Sequence, residues 1–481
     1  IEEGRAHLER AFARDPYHIW YKNTLDLLDQ LKTFRTVSTP RFQIVAPAAE
    51  VDLLALYLGP LLEEAYDSLA ARYEYRPPPP VRIELYRRHA DFSVRTVGLA
   101  GLGALGVSFG TVLVMDAPSA RDPGSFNWGT TAWHELAHTF TLGLSAHRVP
   151  RWFSEGLSVL EERRARRGWG ADPTPEFLAF FKAQRLLPVS RLNDGFVRPS
   201  HPAEIEFSYY QASLLCEMIE QQWGRGALVA MLKAYRDGQD TPEIFAAVLK
   251  LTPNGLVERF ESWLRARFVG PLGAIAPWSG RGPATGEFRD LLRSARTMVA
   301  AGRTEEARRV LERAEALFPE YAGPDAPALG LGHLLKERGD IRGAATALAR
   351  HNGRDETALD SNTEEAALRE QTGDLPGAVA ALERLIWISP YDPAMHTRLA
   401  DLLDRRGDFP RAVRERRAAL AAGPPDRLEA RYQLARALLQ AGDAASARRE
   451  ILGVLEAAPG FEKAQTLLLE LRKKPPEGRT P

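Results

Sequence analysis

The sequence predicts an α+β domain in its first half, joined to an all-α solenoid in its second. Three observations carry that reading. Short alternating or β-branched runs are interleaved with helical patterns ahead of residue 116. The pentad His134-Glu135-Leu136-Ala137-His138 lies within an amphipathic helical pattern, and beyond residue 300 glycines return at nearly constant intervals.

Ile1 to Arg14 reads as the second helix of a helical repeat, because Ala11 and Asp15-Pro16 match the close of such a unit. Residues 1–36 are accordingly expected to be a remnant of repeat-like helices, cut from a longer chain, and the α+β domain is expected over 37–272. Within it, Arg41 to Ala46 reads as a short strand and Ala49 to Tyr73 as a helix. Val81 to Tyr86, after the proline run Pro77 to Pro80, alternates as a second strand. Leu105 to Met115 is β-branched and punctuated by glycine, which suits a strand whose backbone is closely approached. It is the candidate edge strand for an extended peptide, with an ordinary inner strand as the equal alternative.

Histidines four apart on a helix project from one face about one turn apart, so His134 and His138 can grip a single metal ion. Glu135 sits about 100° around the helix, where a carboxylate flanks the metal's open position and takes a proton from water without being a ligand. The spacing encodes a hydrolytic zinc site. Thr130 or Thr131 is expected to cap the helix, and Trp133, Leu136, Ala137 and Phe140 give it an apolar stripe. Catalytic zinc takes three protein ligands and leaves one position for water. The best third candidate is Glu155, in a stretch predicted to form a second helix from Pro150 to about Arg166. Gly143 offers a C-cap, and Leu144 to Val149 offers the reversal that returns Glu155 to the imidazoles.

The pentad, followed by Trp152, Glu155, Gly156 and Ser158, resembles the gluzincin metallopeptidases, and most closely the bacterial peptidase MA-like domains. This resemblance implies a zincin-type metallopeptidase fold, Zn2+ held by His134, His138 and Glu155, and Glu135 as general base. Glu162 stands where M1-type sequences also carry an acid. The interval between the two blocks is shorter than in typical M1 enzymes, so substrate handling does not carry over. Metzincins are excluded, since Thr141 and Leu144 occupy the positions where they need glycine and histidine. Tyr209 and Tyr210 open a helical pattern from Ser208 to Trp223 whose counterpart in similar domains carries a tyrosine near the active site. Tyr210 is the candidate catalytic donor to an oxyanion, with core packing as its alternative. His147 is read as a solvated loop residue able to donate to substrate, and Asn127 and Ser125 as loop residues without a role.

In the second half, Gly302, Gly339, Gly373, Gly407 and Gly442 recur at spacings of 37, 34, 34 and 35 residues. Alanine follows each by five residues (Ala307, Ala344, Ala378, Ala412, Ala447), and in four units proline follows by seventeen (Pro319, Pro390, Pro424, Pro459). Glycine permits the turn between paired helices, alanine lets them approach, and proline ends the second helix. The pattern resembles tetratricopeptide (TPR) repeats, about five of them over 286–472. The second unit departs at His351-Asn352-Gly353, and its second helix is expected to be short. A linker at 273–285, within the glycine- and proline-rich stretch Gly270 to Gly286, holds Trp278 as an anchor; 473–481 is expected to be a disordered tail.

At 481 residues and 44% hydrophobic content the chain fills two cores, and its net charge of zero gives a nucleic-acid partner no electrostatic support. No run reaches the roughly twenty apolar residues of a membrane span. Cys216, the single cysteine, excludes an intrachain disulfide and reads as packing. Arginine's excess over lysine points to a GC-rich bacterial genome, and leaves open the cell envelope or periplasm against the cytoplasm. The expected function is a zinc-dependent peptidase, an endopeptidase by preference, whose repeats recruit or present a protein substrate or partner. The alternative is a repeat scaffold with a catalytically quiet zincin-fold module. Loss of metal is expected to leave the repeats folded, since each hairpin is held by its neighbours.

Overall fold

The computed structural model describes residues 2–170, 173–280 and 282–473, so the expected tail lies outside the described residues from 474 onward. Helices α1 (Glu2–Arg14) and α2 (Ile19–Leu31) precede a five-stranded sheet of β1 (Phe34–Ser38), β2 (Phe42–Pro47), β3 (Val81–Tyr86), β4 (Gly106–Ser108) and β5 (Val112–Asp116). The strand order is β1-β2-β3-β5-β4. The inner strands β2, β3 and β5 are parallel, and the edge strands β1 and β4 are antiparallel to their neighbours. Parallel strands need crossovers, supplied here by α3 (Val51–Tyr73) and by α4 (His89–Val97) with the loop after it. Both sheet faces are thereby covered, which is why Ile44, Ile83 and Leu113 are buried on one face and Tyr86 and Val114 on the other.

Two expectations about this region change. Leu27 of α2 is buried against Tyr86, Phe92 and Val114, so this helix packs on the sheet, and β1, which pairs with β2, already begins within the stretch read as a repeat remnant. The segment 105–115 is a hairpin and not one strand. Gly110, at φ 87°, turns the chain between β4 and β5, leaving β5 inside the sheet and β4 on its edge.

Beyond the sheet come α5 (Trp128–Leu144), α6 (Arg151–Ala165), α7 (Pro175–Lys182), α8 (Asp194–Val197) and α9 (Pro202–Trp223). α6 packs between α5 and α9. Helices α10 (Arg225–Arg236), α11 (Thr241–Ile244), α12 (Pro253–Arg267) and α13 (Val269–Ala274) complete this half. Trp278 then docks back: its N–H donates to the Ala179 carbonyl at 3.0 Å and its ring lies on Phe180.

The solenoid follows as hairpins α14 (Glu287–Ala300) with α15 (Thr304–Leu317), α16 (Pro327–Glu337) with α17 (Ile341–Asn352), and α18 (Leu359–Gln371) with α19 (Leu375–Ile386). Then come α20 (Pro393–Arg405) with α21 (Phe409–Ala421), α22 (Arg427–Gln440) with α23 (Ala444–Ala457), and α24 (Glu462–Lys473). The five spaced glycines all sit in the turns at φ between 71° and 86°, and the five alanines are fully buried between helices. Helix α17 is not shortened: it has 12 residues, as does α19. What departs from the pattern is the loop after it. One hydrophobic cluster runs from the sheet through α5, α6 and α9 into Leu382, Leu399 and Ala412, so the middle repeats share a core with the first half.

Candidate metal centre

Helix α5 begins earlier than its threonines suggest. The Asn127 side chain accepts from the N–H groups of Gly129 and Thr130 at 3.0 Å each, so Asn127 is the cap and Thr130 lies in the first turn. At the far end, Gly143 is inside the helix, where a Cβ would stand 2.5 Å from the Tyr75 hydroxyl oxygen. Packing, not capping, requires that glycine. The reversal instead uses Ala146 and His147 in the left-handed region, at φ 49° and 62°. His147 is exposed and lies against Gly110 of the hairpin turn.

Arg151, Glu155, Ser158 and Glu162 fall at i, i+4, i+7 and i+11 along α6, which places them on one helical face. That face meets the α5 histidines. Behind it, a Cβ on Gly156 would stand 2.6 Å from the Ala212 carbonyl oxygen, so glycine is what allows α9 to lie so close.

His134, His138 and Glu155 converge as the sequence anticipates. The two Nε2 atoms are 3.0 Å apart, and Glu155 Oε2 lies 3.2 Å from His134 Nε2 and 3.4 Å from His138 Nε2. A tetrahedral ion bound at about 2.0–2.1 Å would hold its donors roughly 3.3 Å from one another. The triangle fits such an ion. The charge balance fits too, since Glu135, Glu155 and Glu162 are all buried around two imidazoles, an arrangement that a cation would relieve.

The outer nitrogens are held as well. His134 Nδ1 donates to Glu162 Oε1. His138 Nδ1 lies 2.8 Å from Ser154 Oγ and 3.3 Å from Ser158 Oγ. Arg151 Nε donates to the second Glu155 oxygen at 3.1 Å. Fixing Nδ1 in this way sets the tautomer that turns Nε2 toward the ion. Burial alone would lower the His134 pKa, but the carboxylates of Glu162 and Glu155 outweigh it and hold the imidazole well above its ordinary range. Burial would likewise raise Glu155, but the imidazoles of His138 and His134 hold it well below the usual carboxylate range. Glu135 is pushed up by burial, which the two imidazoles only partly offset. Its Oε2 has no hydrogen-bond partner, and its other oxygen would lie 2.6 Å from a Cβ on Gly106 of β4. The edge strand therefore runs directly over the Glu135 carboxylate.

Of the two tyrosines, the structure brings Tyr209 to the cluster. Its ring centroid is 6.4 Å from that of His134, and it faces Arg151 beside Glu155. Tyr210 points elsewhere: its hydroxyl donates to Glu206 at 2.6 Å and its ring packs edge-on against Phe177. Adjacent helical residues diverge by about 100°, so only one of the pair can face α5. Sequence reasoning noted Glu162 by resemblance without a contact and passed over Arg151, although their i, i+4, i+11 spacing with Glu155 was a usable signal.

Residues 69–266 match the family model of the peptidase MA superfamily, and residues 291–321 and 397–460 match tetratricopeptide-repeat models. The chain joins a peptidase MA superfamily domain to tetratricopeptide repeats. No curated protein matches it. Among solved structures it is similar to the MamA protein, at 15% identity and a TM-score of 0.26, over 40% of this chain and 98% of that one. It is also similar to YrrB, described as a TPR protein with an unusual peptide-binding site, at 13% identity and a TM-score of 0.26, over 37% and 89% of the two chains. A thermophilic TPR protein of Thermus thermophilus aligns at 21% identity and a TM-score of 0.20, over 38% and 98%.

Proposed function

We propose that this protein is a zinc-dependent peptidase, with His134, His138 and Glu155 holding Zn2+ and Glu135 acting as general base. The observation that carries the reading is the donor triangle of 3.0, 3.2 and 3.4 Å set beside a buried carboxylate oxygen that has no partner. A zinc ion held there supplies Lewis acidity, polarising a carbonyl and acidifying water. The chain's own residues do the rest. Glu135 Oε2 takes the proton of the attacking water and returns it to the amide nitrogen as the C–N bond breaks. The Tyr209 hydroxyl, in the place expected for Tyr210, donates to the oxygen that gains charge during the attack. Gly106 and Ser108 lie between the residues of β4 that pair with β5 through Leu105 O and Phe109 N. Their own backbone groups thus face outward along the free edge, where an extended peptide can pair. An extended substrate laid along an open edge favours internal cleavage over removal of single terminal residues. The TPR repeats, a class of module suited to protein–protein contact, recruit or present the protein substrate.

The test pairs metal analysis with cleavage. Purified protein is expected to hold about one zinc per chain and to cut a labelled unfolded protein, with cleavage lost on chelation and in Glu135→Gln while the metal content of that variant is kept. Zinc without cleavage of any unfolded substrate would leave a repeat scaffold carrying a quiet zincin-fold module.

A further inference from the structure

In four repeats the residue seventeen after the turn glycine is proline; counted from Gly339, the same position is Glu356. The Glu356 carboxylate reaches the first domain. The Thr130 hydroxyl donates to Glu356 Oε2 at 2.6 Å, the Gly170 N–H donates to the same oxygen at 3.2 Å, and Asn127 Nδ2 donates to the Glu356 carbonyl at 3.4 Å. Thr130 lies one turn ahead of His134 on the same face of α5. A Cβ on Gly170 would stand 3.0 Å from Glu162 Oε2, so Gly170 is wedged between Glu356 and the carboxylate that holds His134 Nδ1. The approach of the repeats is close along this whole seam. A Cβ on Gly168 would meet the Gly353 carbonyl oxygen at 2.8 Å, and one on Gly129 would meet the Trp387 ring at 2.5 Å. The Trp128 N–H and indole N–H donate to the carbonyls of Trp387 and Ile386 at 3.1 and 2.9 Å.

We propose that Glu356, contributed by the loop that closes the second repeat, is a positioning residue for the metal site, acting on α5 through Thr130 and on Glu162 through Gly170. The proposal rests on the metallopeptidase reading above. It makes the repeat array part of the site's framework, so that α5 keeps its place only while the second and third repeats are seated. Burial and the nearby Glu162 push the Glu356 carboxyl up to about 8. At neutral pH it is therefore largely protonated, and glutamine copies both its charge and its acceptor oxygen.

The experiment uses the full chain and measures zinc affinity by competition with a chromophoric chelator, the visible spectrum of the cobalt-loaded protein, and the thermal midpoint. Glu356→Ala is expected to weaken zinc binding about tenfold, the lower end of losses for groups that orient ligands, and to alter the cobalt spectrum. Glu356→Gln is expected to restore both to within twofold of wild type. Thr130→Val removes the donor of one of the two routes and is expected to weaken binding measurably but by no more than Glu356→Ala does, while the double variant is no weaker than Glu356→Ala, because the Thr130 hydroxyl acts only through Glu356. Wild-type affinity and spectrum in a folded Glu356→Ala would overturn the proposal; should that variant not fold, unchanged binding in Thr130→Val does the same. A wild type that takes up neither zinc nor cobalt overturns the metallopeptidase reading and this proposal together.

Discussion

Replacing Gly106 with alanine tests whether the edge strand sets the position of the base. Gly106 has no positive φ, so the substitution carries no backbone penalty and its effect is steric. The added methyl would lie 2.6 Å from Glu135 Oε1, 2.7 Å from its Cγ and 2.8 Å from its Cδ. Unbonded heavy atoms settle near about 3.5 Å, so the carboxylate or β4 must yield by roughly 0.9 Å. Forcing one methyl into a packed site costs about 1–3 kcal/mol of stability. A displacement near 1 Å in a reacting group costs about 10²-fold in rate. The expected result is a 10- to 100-fold fall in kcat, with KM changed little and zinc stoichiometry unchanged, since the atoms nearest the new methyl all belong to Glu135 and none to His134, His138 or Glu155. The assay is steady-state cleavage of a labelled unfolded protein, run beside metal analysis and a thermal melt. Full activity in Gly106→Ala, with the protein folded and metal-loaded, would refute the placement of Glu135 against β4.

Three further outcomes follow from the same geometry. Tyr209→Phe is expected to lower kcat by about 10- to 100-fold with little change in KM, while Tyr210→Phe leaves kcat near wild type; the reverse pattern would return the oxyanion role to Tyr210. Because one core joins the sheet to α19–α21, chelation is expected to lower the melting temperature of the first half and middle repeats together, read by helical circular dichroism. A helical signal that ignores chelation would restore independent repeats. Glu356 gives a pH dependence whose sign is fixed: its folded pKa near 8 lies above the unfolded value of 4.5, so the native state keeps a proton that the unfolded chain releases. Stability is therefore lost as pH rises from about 4.5 to about 8, on the order of a few kcal/mol in all, and Glu356→Gln lacks this component. Urea midpoints at pH 5 and 8.5 check it, and parallel profiles for the two proteins would sink it.

The candidate ligands were legible because the signals that place them are local in the chain. His134 and His138 share a turn of α5, and the short interval before Glu155 leaves room for little but a reversal. The solenoid was legible for a related reason: a turn needing left-handed glycine and a crossing needing alanine repeat wherever two helices pair, as at Gly373 and Ala378. What escaped depends on contacts between distant segments. Asn127 looked like an ordinary loop residue because its capping is visible only once α5 is seen to start at Trp128. The glycines between 105 and 115 suggested a strand with a closely approached backbone, but their pattern did not say that a turn at Gly110 separates β4 from β5. Tyr210 was chosen over Tyr209 because adjacent residues of one helix carry the same local signal, and only the packing of α9 on α6 shows which of them faces the α5 histidines.

The second repeat shows how a broken pattern carries information. The fifth repeat, α22 with α23, packs on the helices either side of it and keeps proline at the end of its second helix, at Pro459. The loop after α17 meets a different domain, and its geometry uses groups that proline lacks. The Gly353 and Arg354 N–H groups close it on Ala349 and His351 at 3.0 and 2.9 Å, and an acceptor side chain at 356 takes the Thr130 hydroxyl in the buried first turn of α5. The third repeat solves the same docking differently. It keeps Pro390 and adds Trp387, whose ring fills the space left by Gly129 and whose backbone carbonyl takes the Trp128 N–H. Both departures fall where the solenoid touches the metal-ligand helix. A substitution of Glu356 by the proline that the repeat pattern calls for should therefore improve the repeat and damage the site, an opposition that would not arise if the two halves were merely tethered.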